Sequence, residues 1–245
     1  MENRFSRTEM IIGEEGINIL GKSTVAVFGL GGVGSYAVEA LARSGIGSLV
    51  LVDFDTVSVS NINRQIHAFD DTIGRAKADL MAERVLRINP GAEIKAYGRK
   101  YTADNRESFF EKWPDYVVDA IDDMEAKADL IKFCLGKGIP LVSSMGAGNK
   151  MDPTLFRVDD ISRTSVCPMA RWVRTRLRKE GISSGLKVVF STEPPRKTKT
   201  EDVESSGQFR KRVPGSISFV PPVAGMILAG VVVRDLLEIG RSKIH

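Results

Sequence analysis

The chain has 245 residues, enough to bury a sizeable core and near the upper limit for one domain. Hydrophobic residues at 42% and charged residues at 27% are the mix of a soluble globular protein, which excludes a disordered or membrane-embedded chain. Two cysteines, Cys134 and Cys167, exclude a disulfide framework and any CxxC pair for zinc and fit a reducing, cytoplasmic compartment, and the net charge of +4 is mild.

The N-terminal stretch MENRFSRTEMIIGEEG mixes both charges and lacks an apolar core, so no signal peptide is expected. Apolar residues at near-helical spacing from Phe5 to Leu20 predict a helical arm over residues 1–22. Val25–Phe28 reads as a first strand, Val33–Ser44 as a helix and Ser48–Val52 as a second strand. Asp71–Ile88 reads as a helix ending before Asn-Pro-Gly, Ala92–Ala96 as a third strand and Asp104–Lys112 as a short helix. A buried strand over Tyr116–Ile121 ends in carboxylates, and a helix over Ala126–Lys137 and a strand over Pro140–Ser143 follow. Later come a strand near Leu155–Val158, a helix over Pro168–Lys179, a strand over Lys187–Ser191 and a closing apolar helix over Ala224–Ile239. The polar segment Glu193–Val213 reads as a mobile basic loop.

This alternation predicts an α/β fold: a Rossmann-like, doubly wound, mostly parallel sheet with helices on both faces and an elaborated C-terminal half, forming one domain over residues 1–245. Binding groups then belong at the C-terminal ends of the strands. The longest apolar run, Ile217–Val233, is short for a membrane span and broken by Pro221 and Pro222. It reads as a buried strand, turn and helix, so no membrane partner is expected.

Chemistry concentrates after the first strand. Gly29, Gly31 and Gly34 spell GxGxxG, with Gly32 as a fourth glycine, and open a helix whose free N–H groups favour phosphate. Asp53, ending the second strand, sits where an acid accepts hydrogen bonds from ribose hydroxyls. Both features suit NAD and ATP equally. The stretch SNINRQ then adds Arg64, and Lys77 follows on a helix. Two cations exceed what a dinucleotide pyrophosphate demands, but suit a triphosphate attacked at its α-phosphorus. Asp122 and Asp123 end a strand close to the phosphates; Asp122 is the better candidate for Mg²⁺, while Asp123 is equally a helix cap.

GLGGVG, DFDTVSVSNINRQ, GRAKA and DAIDD, in this order, resemble the ubiquitin-activating-enzyme-like adenylyltransferase superfamily. EALARSGIGSLVLVDFD, NINRQIHAFDDTIGRAKA, GAGNKMDP and PMARWVRTRLRKEGI are similar to its tRNA threonylcarbamoyladenosine dehydratase branch, covering Arg4 to Leu237. The resemblance implies that Gly29, Gly31, Gly32 and Gly34 hold ATP, that Asp53 takes its ribose and that Asp55 and Gln65 line the same site. Asn61, Asn63, Arg64 and Lys77 then face the phosphates and Asp122 holds Mg²⁺. It also implies a homodimer, with Arg7 reaching into the neighbour's site. The implied reaction adenylates the threonyl carboxylate of threonylcarbamoyladenosine in tRNA and closes it to a cyclic form, releasing AMP and pyrophosphate. Arg171, Arg174 and Arg178 on one helix, and Arg210, Lys211 and Arg212 beside the polar loop, are then tRNA-binding candidates.

The pattern departs from that branch at Cys167-Pro168, where Asp-Pro is common, which leaves any role of that acid unassigned. A sulfur-transfer protein is a further candidate partner. An activator of a ubiquitin-like or sulfur-carrier protein's C-terminus is an alternative function, and an NAD(P)-binding oxidoreductase is a second.

Overall fold

The computed structural model describes residues 3–197 and 214–238. Seven strands form one sheet in the order β3-β2-β1-β4-β5-β7-β6. They are β1 (Thr24–Phe28), β2 (Ser48–Val52), β3 (Glu93–Tyr97), β4 (Tyr116–Asp119), β5 (Leu141–Ser144), β6 (Phe156–Asp160) and β7 (Lys187–Ser191). All neighbours are parallel except β6 and β7, so the sheet has the expected doubly wound core with an antiparallel edge. β1 and β4 are covered on both faces, which is why TVAVF and YVVD read as near-continuous apolar runs rather than as alternation.

The helices are α1 (Ser6–Lys22), α2 (Gly34–Ser44), α3 (Lys77–Ile88), α4 (Met124–Lys137), α5 (Pro168–Arg178) and α6 (Val220–Leu236). Val25, Val27, Leu41, Met81 and Leu228 belong to one apolar layer, on the side of α2, α3 and α6. Phe28, Val117, Leu130, Val173 and Val188 belong to the other, on the side of α4 and α5. The N-terminal arm is helical as expected, with a kink at Gly13.

Four predicted elements differ. Residues 70–72 form a 3₁₀ turn and Gly74 stands at φ +85°, so the third helix starts at Lys77 rather than Asp71. Lys77 thereby occupies a helix start instead of an exposed helix face. The expected helix over Asp104–Lys112 shrinks to a 3₁₀ turn at Arg106–Phe109. The strand expected to reach Ile121 stops at Asp119, whose carboxylate accepts the Ile121 N–H at 3.0 Å and turns the chain out of the sheet. The last helix begins at Val220 and includes both prolines in its first turn, where a missing N–H costs no helical bond.

Most of the segment predicted as a mobile loop, with Arg210, Lys211 and Arg212, lies outside the described residues. Its start is held in place: the buried Glu193 carboxylate accepts the Met151 and Asp152 N–H groups at 3.0 and 2.9 Å. Among the described residues no helix is long and apolar enough to cross a membrane. Leu41 on α2 is fully buried, and Leu41→Ala is expected to lower unfolding free energy by about 2–5 kcal/mol in urea titration.

Candidate active site

The glycine loop is set by one close approach. Gly29 stands at φ +86°, and a Cβ on Gly34 would lie 1.8 Å from the Gly29 carbonyl oxygen. No side chain fits at either position, so the loop folds tightly between β1 and the N-terminus of α2. A Cβ on Gly29 would also lie 2.6 Å from the Ala120 carbonyl oxygen, which puts the loop against the chain leaving β4.

Asp53 follows β2, next to β1 in the sheet. Its carboxylate accepts the Leu30 N–H at 2.6 Å and the Asp55 N–H at 2.8 Å, so this acid already touches the glycine loop. Burial pushes its pKa up, against the lowering effects of Lys77 and these two N–H groups. Lys77 is buried, and its ammonium donates to Asp55 Oδ2 at 2.8 Å. A buried lysine on the first residue of α3 is a held charge, not a solvated one.

The chain between β2 and α3 carries the remaining candidates. Asn61 is buried and its side-chain oxygen accepts the Ser58 N–H, closing a 3₁₀ turn at Val59–Asn61. Arg64 lays its stem over the glycine loop: its Cγ lies 3.1 Å from where a Gly32 Cβ would stand. Its guanidinium donates to the Ser60 carbonyl and to Asn63 Oδ1, each at 2.8 Å. Asn63, expected to face the phosphates, donates its amide to the Ser216 carbonyl at 3.0 Å and accepts from Arg64 on its oxygen. Gln65 is buried beside Gly31 and its Oε1 has no partner in the structure, an acceptor open to a ligand or water.

The structure thus brings Gly29, Gly31, Gly32, Gly34, Asp53, Asp55, Asn61, Asn63, Arg64, Gln65 and Lys77 together beyond the C-terminal ends of the central strands. Asp122 follows two residues after Ala120, whose carbonyl meets the loop. The three nearby aspartates then divide by role. Asp119 is fully buried against Lys127, and Asp123 caps α4 by accepting the Glu125 and Ala126 N–H groups. Asp122 is exposed and has no side-chain hydrogen bond within the described residues. One open carboxylate beside a phosphate site suits Mg²⁺, which keeps waters and takes the rest of its shell from substrate. Among the described residues no three His, Cys, Asp or Glu side chains are grouped to hold a metal by themselves.

Arg7 is not part of this cluster. Beside it, Arg4 donates to the Ile88 carbonyl at the end of α3 and Phe5 packs against Gly45 at the end of α2. Both helix ends lie by the N-terminal ends of the strands, so Arg7 is remote from the glycine loop of its own chain. On α5, Arg174 is half-buried and donates Nη1 to the Thr164 carbonyl at 2.9 Å, which anchors it to the turn before the helix. Arg171 and Arg178 are exposed, with no ion pair among the described residues. Arg176 lies 3.7 Å from Glu125, so the basic end of α5 borders the turn that carries Asp122.

Several features are set by backbone geometry and burial. Val166, a β-branched residue, stands at φ +63°, a strain worth about 1–3 kcal/mol, immediately before Cys167. Cys167 is buried beside Gly146, and Cys134 is wholly enclosed with its thiol pushed up to about 12. His67 is buried with neither ring nitrogen partnered in the structure. Burial, then the positive charges of Lys77 and Arg84, lower its pKa to about 4.

A glycine-loop α/β domain with Arg64 over the loop, Lys77 held at Asp55 and an exposed carboxylate just past β4 is a nucleotide-binding fold equipped for a triphosphate. The family model described as the ThiF family matches residues 5–245, and the chain belongs to that family. The tRNA threonylcarbamoyladenosine dehydratase of Bacillus subtilis (strain 168) is 51% identical over 253 residues, covering 99% of this chain and 99% of that one. Its Escherichia coli (strain K12) counterpart is 43% identical over 197 residues, 78% of this chain and 74% of that one. The crystal structure of the E. coli tRNA N6-threonylcarbamoyladenosine dehydratase in complex with ATP is similar at a TM-score of 0.87 and 35% identity, covering 98% of this chain and 96% of that one.

Because His67 binds its proton more weakly when folded, its contribution is present in full above pH 6.5 and is lost as pH falls from there towards 4. The expected loss is about 3 kcal/mol from this one group. His67→Gln should flatten the stability profile over that window, as read by urea unfolding at successive pH values.

Proposed function

We propose that this chain is an ATP-dependent dehydratase acting in the cytoplasm on tRNA: it adenylates the threonyl carboxylate of threonylcarbamoyladenosine and closes it to a cyclic form. The observation that carries this reading is the pair of cations, Arg64 and Lys77, held over and beside a glycine loop that already contacts Asp53. A redox dinucleotide needs no such pair.

Asp53 exchanges its bond to the Leu30 N–H for the ribose hydroxyls of ATP. The N-terminus of α2 receives phosphate oxygens, and the Arg64 guanidinium, already oriented by Asn63 and Ser60, faces the same group. A carboxylate oxygen of the substrate attacks the α-phosphorus, the bond to the leaving phosphate breaks, and pyrophosphate departs with the acyl adenylate left behind. Lys77 stabilises the charge that moves onto pyrophosphate; its tie to Asp55 keeps it at the site edge before ATP arrives. Asp122 would hold magnesium, which would supply further neutralisation of the phosphates. The carbamoyl group then attacks the activated carbonyl, AMP leaves, and the net change is loss of one water. Ring closure is intramolecular and needs positioning more than a protein nucleophile. Both described cysteines are buried, which agrees with that economy.

The reading includes a homodimer. Arg7 sits by the N-terminal ends of the strands, remote from its own glycine loop, and Met10 and Ile11 on the same arm are 80% and 85% exposed. A second copy covers this apolar turn and receives Arg7 beside its phosphates. tRNA then lies across the edge bordered by α5, with Arg171 and Arg178 available to its backbone.

Lys77→Ala is expected to slow ATP–pyrophosphate exchange by about 10²–10³-fold. Exchange should be stimulated by tRNA carrying threonylcarbamoyladenosine; stimulation by a ubiquitin-like or sulfur-carrier protein instead would transfer the site to the alternative reaction. Arg7→Ala and Lys77→Ala should each be inactive alone and regain activity when unfolded together and refolded as mixed dimers. The Cys134→Ala, Cys167→Ala double variant should remain active, and tRNA affinity should fall steeply as salt rises.

A further inference from the structure

A fully buried ion pair lies directly behind Asp122. Asp119, the last residue of β4, and Lys127, one turn into α4, have side chains with no solvent exposure, and Lys127 Nζ meets Asp119 Oδ2 at 2.7 Å. Every donor and acceptor of the pair is used. Asp119 Oδ2 also accepts the Ser143 hydroxyl at 2.6 Å, and Lys127 donates to the Ser144 carbonyl at 3.0 Å and Ser143 Oγ at 3.3 Å. The other Asp119 oxygen accepts the Ile121 N–H at 3.0 Å.

Stability gives little reason to keep such a pair, since removing two charges from water costs several kcal/mol each and apolar replacements are often as stable. Its location supplies a reason. Asp119 pairs in register with Phe28 of β1 and Ser143 of β5, so the network joins three strand ends. Between Asp119 and Lys127 lie four residues of turn and the start of α4, and both ends of this stretch are fixed. Asp119 holds the strand side through Ile121; Lys127 holds the helix side to the end of β5. Ala120 is pinned as well, its N–H donating to the Phe28 carbonyl at 2.8 Å. The exposed residue on this clamped turn is Asp122.

We propose that Asp119, Lys127 and Ser143 form a latch that positions Asp122 for the metal ion bound with ATP. They are positioning residues and touch neither ATP nor metal. This inference rests on the reading of Asp122 as the magnesium carboxylate. When the latch is lost the turn samples other conformations, and the carboxylate meets the metal in only a fraction of them. Metal affinity falls by that fraction, while metal-free ATP affinity, set by the glycine loop, Asp53 and Arg64, does not change.

The test is Mn²⁺ binding to the full-length protein with ATP present, read by electron paramagnetic resonance, beside ATP affinity in EDTA by calorimetry. The Asp119→Asn, Lys127→Met double variant removes both charges and keeps an acceptor for Ile121; Ser143→Ala is the milder second variant should the double variant not fold. Asp122→Asn is measured in parallel. The expected result is at least a three-fold weaker Mn²⁺ affinity for the double variant, a smaller weakening for Ser143→Ala, unchanged ATP affinity in EDTA and a larger Mn²⁺ loss for Asp122→Asn. Native Mn²⁺ affinity in folded latch variants, with Asp122→Asn impaired, overturns the latch alone. Native Mn²⁺ affinity in Asp122→Asn overturns the metal assignment and the latch with it. A fall in metal-free ATP affinity in the latch variants equal to the fall in Mn²⁺ affinity assigns the network to general structure and also overturns the proposal.

Discussion

The close approach of Gly34 to the Gly29 carbonyl governs the geometry of this protein's working edge. Because neither residue carries a Cβ, the chain leaves β1, turns within a few residues and starts α2 with its free N–H groups aimed along the strand ends. The same loop rests on Ala120 beyond β4 and accepts Asp53 from β2 through the Leu30 N–H. Three neighbouring strands are thereby registered on one anion site. A larger residue at either glycine would push the loop away from Ala120 and Asp53 together, so the placement of both beside the loop depends on one steric constraint.

Around that loop the protein arranges charge by burial rather than by number. Lys77 is buried and tied to Asp55, Arg64 is stretched over Gly32, and Asp119 is neutralised by Lys127. Asp122 alone of the three aspartates near the end of β4 remains exposed and unspent. A site of this kind holds cations where leaving-group charge develops and an open carboxylate where a hydrated cation can attach. Both cysteines are buried: burial pushes Cys134 up to about 12, and Cys167 packs against Gly146.

The parallel core was legible because it is built from local signals. Apolar runs such as SLVLV and YVVDAI alternate with amphipathic helices, and GxGxxG lies between a strand and a helix as the fold demands. The cluster of Asp53, Arg64, Lys77 and Asp122 was also readable, since each lies just past a strand end or in the polar excursion that follows one. What escaped were effects of side chains on distant backbone. A 3₁₀ turn moved the start of α3 to Lys77, and Asp119 ended β4 two residues early by capturing Ile121. Asn63 faces Ser216, a residue 153 positions away, and Arg174 is spent on its own loop; neither partnership leaves a local signature. The buried Asp119–Lys127 pair was hidden for the same reason, because a lysine three residues after a helix start resembles any solvated one.

The most direct test of the central claim is incubation of the protein with ATP, Mg²⁺ and tRNA carrying threonylcarbamoyladenosine, followed by nucleoside mass analysis and quantification of AMP. The expected result is a modified nucleoside lighter by one water, with AMP and pyrophosphate formed in equal amounts to it. ATP consumed with the nucleoside mass unchanged, or no ATP consumed at all, would contradict the account.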